Sequence, residues 1–249
     1  MLKAAPWLLP VILATTLARP PAAPDMDSAL VAYRDRDFAT AFRMFATLAK
    51  KGDAMAQLNL ALMYAKGEGT TQNLVESRTW LLKAARQGLA VAQYNLGLMH
   101  SSGQGGPRDM AKSAQWLGKA ASQGHGEAQF FLGLYYANGE GVEQDYAQAA
   151  QWFRKAAEQG ESGAQFNLGV LYTQGLGVEK DMGKAGQWFR KAAEQGDPEA
   201  QESLGLLYAE GSGVKKDLAE AEKWLRKAAD LGNENARANL EILRTVRGK

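Results

Sequence analysis

Cysteine is absent from the whole chain, and this removes several chemistries at once: disulfides, a thiolate nucleophile, Cys-ligated zinc and a lipid-modified N-terminal cysteine. Any exported form must be held together by packing alone. Histidine is nearly absent. The only two, His100 and His125, fall short of the three or four clustered ligands that zinc needs, so neither metal nor other cofactor is expected. Charge of one sign is lacking as well. The chain carries 29 Lys and Arg against 27 Asp and Glu, for a net charge of +2. Both signs are spread along the length, which argues against a large nucleic-acid footprint, since that normally needs an extended one-signed patch. No Asn-x-Ser/Thr sequon occurs, so nothing points to a glycosylating secretory pathway.

Long apolar runs are also missing. The nearest approach lies at the start, where Lys3 precedes an apolar run over 4–17 that Pro6 and Pro10 interrupt, leaving it short of the ~20 residues of a spanning helix. With small residues at Thr16 and Ala18, residues 1–18 read as a signal peptide cleaved after Ala18. That predicts a periplasmic or secreted protein that does not span a membrane once cleaved. The alternative is an uncleaved N-terminal anchor, because Arg19 and Pro20 sit awkwardly after the cleavage site. Residues 19–26, with prolines at 20, 21 and 24, read as an extended linker.

What is present is a period. Ala56-Gln57 recurs as Ala92-Gln93, Ala128-Gln129, Ala164-Gln165 and Ala200-Gln201, each step being 36 residues. Leu60, Tyr64 and Trp80 begin series in the same phase, and a fixed period of this length marks a solenoid. Each unit reads as two helices. Ala128, Leu132, Gly133 and Tyr136 share one helical stripe, as do Ala149, Trp152, Phe153, Ala156 and Ala157 on the second. Gly139 and Gly141 break the chain between them. Asn73, Asp109, Asp145, Asp181 and Asp217 stand where they would cap second helices, and Asp197-Pro198 opens a first helix. The fold class is therefore all-α. Five repeats over 53–234 follow a degenerate opening unit at 27–52 and precede a capping helix at 235–249.

Three finer expectations follow from the residues. Gly97, Gly133, Gly169 and Gly205 cost helix propensity, so a neighbour must approach closely, and the indoles of Trp152 and its equivalents are expected to fill that space as core residues. Glu158, Glu194 and Asp230 follow Arg154, Arg190 and Arg226 by four residues, the spacing of solvated surface pairs. Gly183 and Gly186 weaken the helix near 181–195.

The motif Ala-Gln-x-x-Leu-Gly-x-x-Tyr-x-x-Gly-x-Gly-Val-x-x-Asp, followed by Ala-x-x-Trp-x-x-Lys-Ala-Ala-x-x-Gly, resembles the Sel1-like repeat, a relative of the tetratricopeptide repeat. The likeness covers residues 53–243, with departures at Thr70-Thr71, His100 and Gly106-Pro107. It implies a right-handed α-α superhelix whose concave side is lined by first helices. It also implies a non-enzymatic adaptor, scaffold or regulator of envelope protein complexes that binds a protein or peptide partner as a monomer. Alternatives from the same resemblance are a cell-wall protein that binds or hydrolyses glycan or β-lactam, and a secreted effector acting on host proteins. No nucleophile and base are spaced for hydrolysis, so no catalytic residue is named. In related tetratricopeptide domains two first-helix phases face the groove. Here they carry Leu58, Asn59, Tyr94, Asn95, Phe130, Phe131, Phe166 and Asn167. The rings could stack on a partner and the carboxamides could bond a peptide backbone, or the rings could simply pack between helices.

Overall fold

The computed structural model describes residues 25–247, with side chains described through Thr245. The signal peptide read at 1–18 and residues 19–24 of the linker lie outside the described residues. Among the described residues there are thirteen helices and no strand. None of these helices is long and apolar enough to cross a membrane.

The chain divides after His125 into two compact units. The first contains α1 (Met26–Arg34), α2 (Phe38–Lys50), α3 (Ala54–Lys66), α4 (Leu74–Arg86), α5 (Ala90–Ser102) and α6 (Met110–Ser122). The second contains α7 (Gly126–Asn138), α8 (Tyr146–Glu158), α9 (Ser162–Gln174), α10 (Met182–Glu194), α11 (Pro198–Glu210), α12 (Leu218–Asp230) and α13 (Glu234–Arg247). Within each unit every helix packs on the next in sequence, as expected of a solenoid of helix pairs. α1 begins at Met26, one residue inside the stretch read as linker, because the Asp25 carboxylate accepts from the Ser28 amide and starts the helix there.

The helix starts follow the capping chemistry. Asn73, Asp109, Asp145, Asp181 and Asp217 each accept from amides in the first turn of a second helix, satisfying donors that have no intrahelical partner. Asp197 does the same for α11, with Pro198 in its first turn. Turns between paired helices depend on two glycines. Gly175 caps α9 at φ 72°, and its amide reaches Leu171 O at 2.8 Å. Gly177 has φ 66° and lies so close to the Tyr146 backbone of α8 that a Cβ would collide with it. The glycine pair is thus a structural turn and a contact between successive repeats.

The mid-helix glycines do admit a neighbour, though not the expected one. A Cβ on Gly133 would lie 2.6 Å from Phe153 Cδ1, and one on Gly169 would lie 2.6 Å from Phe189 Cε1. Leu117 and Leu225 approach Gly97 and Gly205 in the same way. The residue after each tryptophan fills the space, because one step along a helix turns the side chain by about 100°. Phe153 is 1% exposed, and burying such a ring stabilises by about 2–3 kcal/mol.

The last tryptophan, Trp224, turns sideways toward the preceding repeat. Trp224 joins the cluster of Phe189, Leu204 and Leu207, whereas its helix neighbours Ala221, Leu225 and Ala228 belong to the next cluster. Trp80, Trp116, Trp152 and Trp188 are only half-buried, which corrects their reading as core. Lysines cover their outer faces: Lys83, Lys119, Lys155 and Lys191 place Nζ at 3.7, 4.3, 4.1 and 4.1 Å from the ring centroids. Each lysine follows its tryptophan by three residues, where a cation meets the π face.

Candidate functional site

In the first unit, α3 carries Leu58 and Asn59, and α5 carries Tyr94 and Asn95. Leu58 and Asn95 are only 3% and 2% exposed, so they form floor, not contact surface, as their neighbours Ala61, Leu62 and Leu96 do. Asn95 Oδ1 is buried without a hydrogen-bond partner. Asn59 is half-buried, and its Nδ2 donates to Met55 O at 2.9 Å. Tyr94 is also half-buried and stacks on His125, with centroids 4.6 Å apart and planes inclined by 24°.

In the second unit, α7 carries Phe130 and Phe131, and α9 carries Phe166 and Asn167; all four are half-buried. Phe130 lies 5.6 Å from Phe131 and 6.1 Å from Phe153 by ring centroid. Its Cζ would be 2.9 Å from a Cβ on Gly163, so that glycine lets the ring tuck against α9. Phe166 lies 5.7 Å from Phe189. Asn167 Nδ2 donates to Gly163 O at 2.7 Å. The rings therefore pack on second-helix neighbours with one side left open. Asn59 and Asn167 each spend one of their two Nδ2 hydrogens on their own helix one turn back, which leaves each carboxamide its second N–H and its oxygen.

A polar ladder went unnoticed in the sequence although its landmark was in view. The glutamine of each Ala-Gln pair is buried. Gln57, Gln93, Gln165 and Gln201 each donate through Nε2 to a carbonyl of the preceding second helix at 3.1 Å. Gln87, Gln123, Gln159 and Gln195 donate in turn to the Oε1 of Gln57, Gln93, Gln129 and Gln165 at 2.7–2.8 Å. The recurrence of this second glutamine 30 residues after the first was the available signal.

The surface pairs expected of the repeat arginines form differently. Arg154 donates to Tyr172 Oη at 2.9 Å and Arg190 donates to Tyr208 Oη. Arg226 pairs with Glu222 at 2.6 Å. Tyrosine, one repeat step onward, offers a fixed acceptor where a solvated glutamate would have to be ordered.

Perturbed titrations are scattered. Burial, then a hydrogen bond to Glu68, raises Tyr33. Burial, then the charge of Glu127, raises Glu161. Burial, then Arg78, lowers His100. Tyr33 lies in α1, His100 in α5 and Glu161 just before α9. Among the described residues no group of three or more metal-binding side chains occurs.

The model of the Sel1 repeat matches five consecutive segments, 54–89, 90–125, 126–161, 162–197 and 198–233. Each begins at a first helix and ends at the turn before the next. A solved structure of a Sel1 repeat protein from Oxalobacter formigenes is similar at 36% identity and TM-score 0.76, covering 86% of this chain and 85% of that one. A protective antigen present in uropathogenic Escherichia coli strains is similar at 40% identity and TM-score 0.76 over 80% of this chain. The match spans 43% of that antigen's structure, less than half its length. Comparison with curated proteins gives no match.

Proposed function

This chain belongs to the Sel1 repeat family, and from that premise we propose that it is a non-catalytic protein-binding scaffold or regulator of a bacterial envelope complex. Sel1 repeats commonly serve as protein-interaction scaffolds. The observation that carries the reading is the pair of first-helix rings at one phase in the second unit, Phe130 and Phe166, each half-buried and packed against a second-helix ring; in the first unit Tyr94, at the same phase of α5, is half-buried and stacks on His125. A ring already held by packing loses little freedom when a partner covers its open side, which favours association. Asn167, next to Phe166 on α9, adds a carboxamide oxygen there, as Asn59 does on α3 in the first unit. The half-buried members, Asn59, Tyr94, Phe130, Phe131, Phe166 and Asn167, make the contacts, while Leu58 and Asn95 support them from below. The partner is a protein or peptide, the scaffold acts as a monomer, and export through residues 1–18 brings it to the periplasm.

The test is photo-crosslinking in intact cells with a benzoylphenylalanine placed at Tyr94, at Phe166 and, as a control, at the exposed second-helix Gln151. The two first-helix positions are expected to capture one common protein that position 151 does not. Equal capture at all three positions, or none at 94 and 166, overturns the proposal.

A further inference from the structure

The first two repeats depart from the later ones at three places that come together in space, one in the first repeat and two in the second. Position 78 is Arg, where the later repeats carry Ala114, Ala150, Gly186 and Glu222. His100 replaces tyrosine, and Gly106 stands where Val142, Val178 and Val214 stand in later copies. Arg78 Nη2 lies 2.8 Å from His100 Nδ1. A Cβ on Gly106 would collide with Arg78 Nη1. Glycine therefore makes room for the guanidinium, and the imidazole holds it. His100 serves as a neutral acceptor, since burial and Arg78 both disfavour its protonation. Arg78 Nη1 is buried without a hydrogen-bond partner.

This guanidinium borders a cavity of about 360 Å³ whose other walls are Leu82 and Arg86 of α4, and Lys112, Trp116 and Lys119 of α6, among others. Leu96 and His100 of α5, nearly fully buried, form its floor. Four permanent cations line it and no carboxylate does. Lys112 is paired with Asp109 at 2.8 Å. Among the described residues no carboxylate pairs with Arg78, Arg86 or Lys119. Arg78, half-buried and without a counter-charge, gains most from an anion brought by another molecule, while Arg86 and Lys119 are exposed.

The order of residues defines that anion's shape. Along α4 the lining reads Arg78, Leu82, Arg86, and along α6 Lys112, Trp116, Lys119: cation, apolar, cation on both walls. At 1.5 Å rise per residue the cations stand about 10–12 Å apart on each helix. An extended chain turns every second side chain to one side, and residues i and i+4 are separated by about 13 Å. We infer that the cleft between α4 and α6 binds an extended acidic peptide segment with two carboxylates flanking an apolar side chain. The carboxylates meet Arg78 with Lys112 and Arg86 with Lys119, and the apolar residue rests on Leu82. This surface belongs to the second helices and is separate from the first-helix rings, so either can fail without the other.

The test is fluorescence anisotropy of a labelled Gly-Glu-Gly-Leu-Gly-Glu-Gly peptide with the full chain. Its analogue with both Glu replaced by Gln, and inorganic pyrophosphate as competitor, are run alongside. The acidic peptide is expected to bind, and to bind more weakly as salt rises. The Gln analogue is expected not to bind. Reversing the exposed Arg86→Glu and Lys119→Glu together is expected to weaken binding by roughly tenfold or more, with the helical circular dichroism of the parent retained. The inference is overturned if the acidic peptide does not bind, if it binds the double variant equally well, or if pyrophosphate binds the cleft and the peptide does not.

Discussion

Gln201 Oε1 is buried with no hydrogen-bond partner, whereas its counterparts Gln57, Gln93, Gln129 and Gln165 each accept from a glutamine 30 residues on. The reason is one residue: position 231 is leucine, 58% exposed. Its backbone, at φ −85° and ψ 4°, matches that of Gln123 at φ −86° and ψ 3°, so glutamine fits there without strain. Leu231→Gln is expected to stabilise the chain by about 1 kcal/mol, read as a higher urea midpoint at unchanged slope. The glycines make the same kind of single-residue case with opposite signs. Gly133→Ala drives a Cβ to 2.6 Å from a core ring. Overpacking costs about 1–3 kcal/mol and outweighs the ~1 kcal/mol of helix propensity gained. At Gly183 the nearest atom would be Asp181 Oδ1 at 3.3 Å, the oxygen that caps α10 through Lys184 N, so a small shift of the cap offsets part of the helix propensity gained. Gly183→Ala is therefore expected to raise stability by up to about 1 kcal/mol; the two unfolding curves should shift in opposite directions.

Helices, caps and turns were legible in the sequence because a 36-residue period repeats each signal in phase, and because a cap is a local bond between neighbours in sequence. Asp145, Asp181 and Asp217 needed only their own next turn to be read. The assignment of Trp152 and not Phe153 to the glycine had no such support, since both are large, apolar and adjacent, and only the direction of each side chain separates them. Among the helices, α10 stands apart. It alone of the second helices carries Gly183 and Gly186, and a cavity of about 520 Å³ lies beside them, bordered also by Arg190 and Val214. Two glycines cost about 2 kcal/mol relative to alanine, and an open flank returns little of it. Amide hydrogens of α10 are expected to exchange faster than those of α8, as measured by mass spectrometry on the native chain; equal or slower exchange would contradict this.

Within each compact unit, a repeat buries its apolar faces on the adjacent ones, and in the second unit Phe153 and Phe189 close a helix pair while Trp224 reaches back into the repeat before it. The period made the first-helix positions legible, and of these Tyr94, Phe130 and Phe166 are half-buried. Phase could not tell that Leu58 and Asn95 turn inward, or that Asn59 and Asn167 bond their own backbone, because these depend on a rotation of a few tens of degrees and on a side-chain rotamer. The cationic cleft of α4 and α6 was visible only as unexplained departures, at His100 and Gly106. The account rests on the first-helix surfaces being where a protein partner is held. Affinity capture from envelope extract, comparing the full chain with its Asn59→Arg, Asn167→Arg variant, tests this most directly. Both positions are partly exposed and helical, so the variant should keep the helical circular dichroism of the parent. The account expects the variant to lose the protein that the parent captures; retention of that protein in full by the folded variant would contradict it.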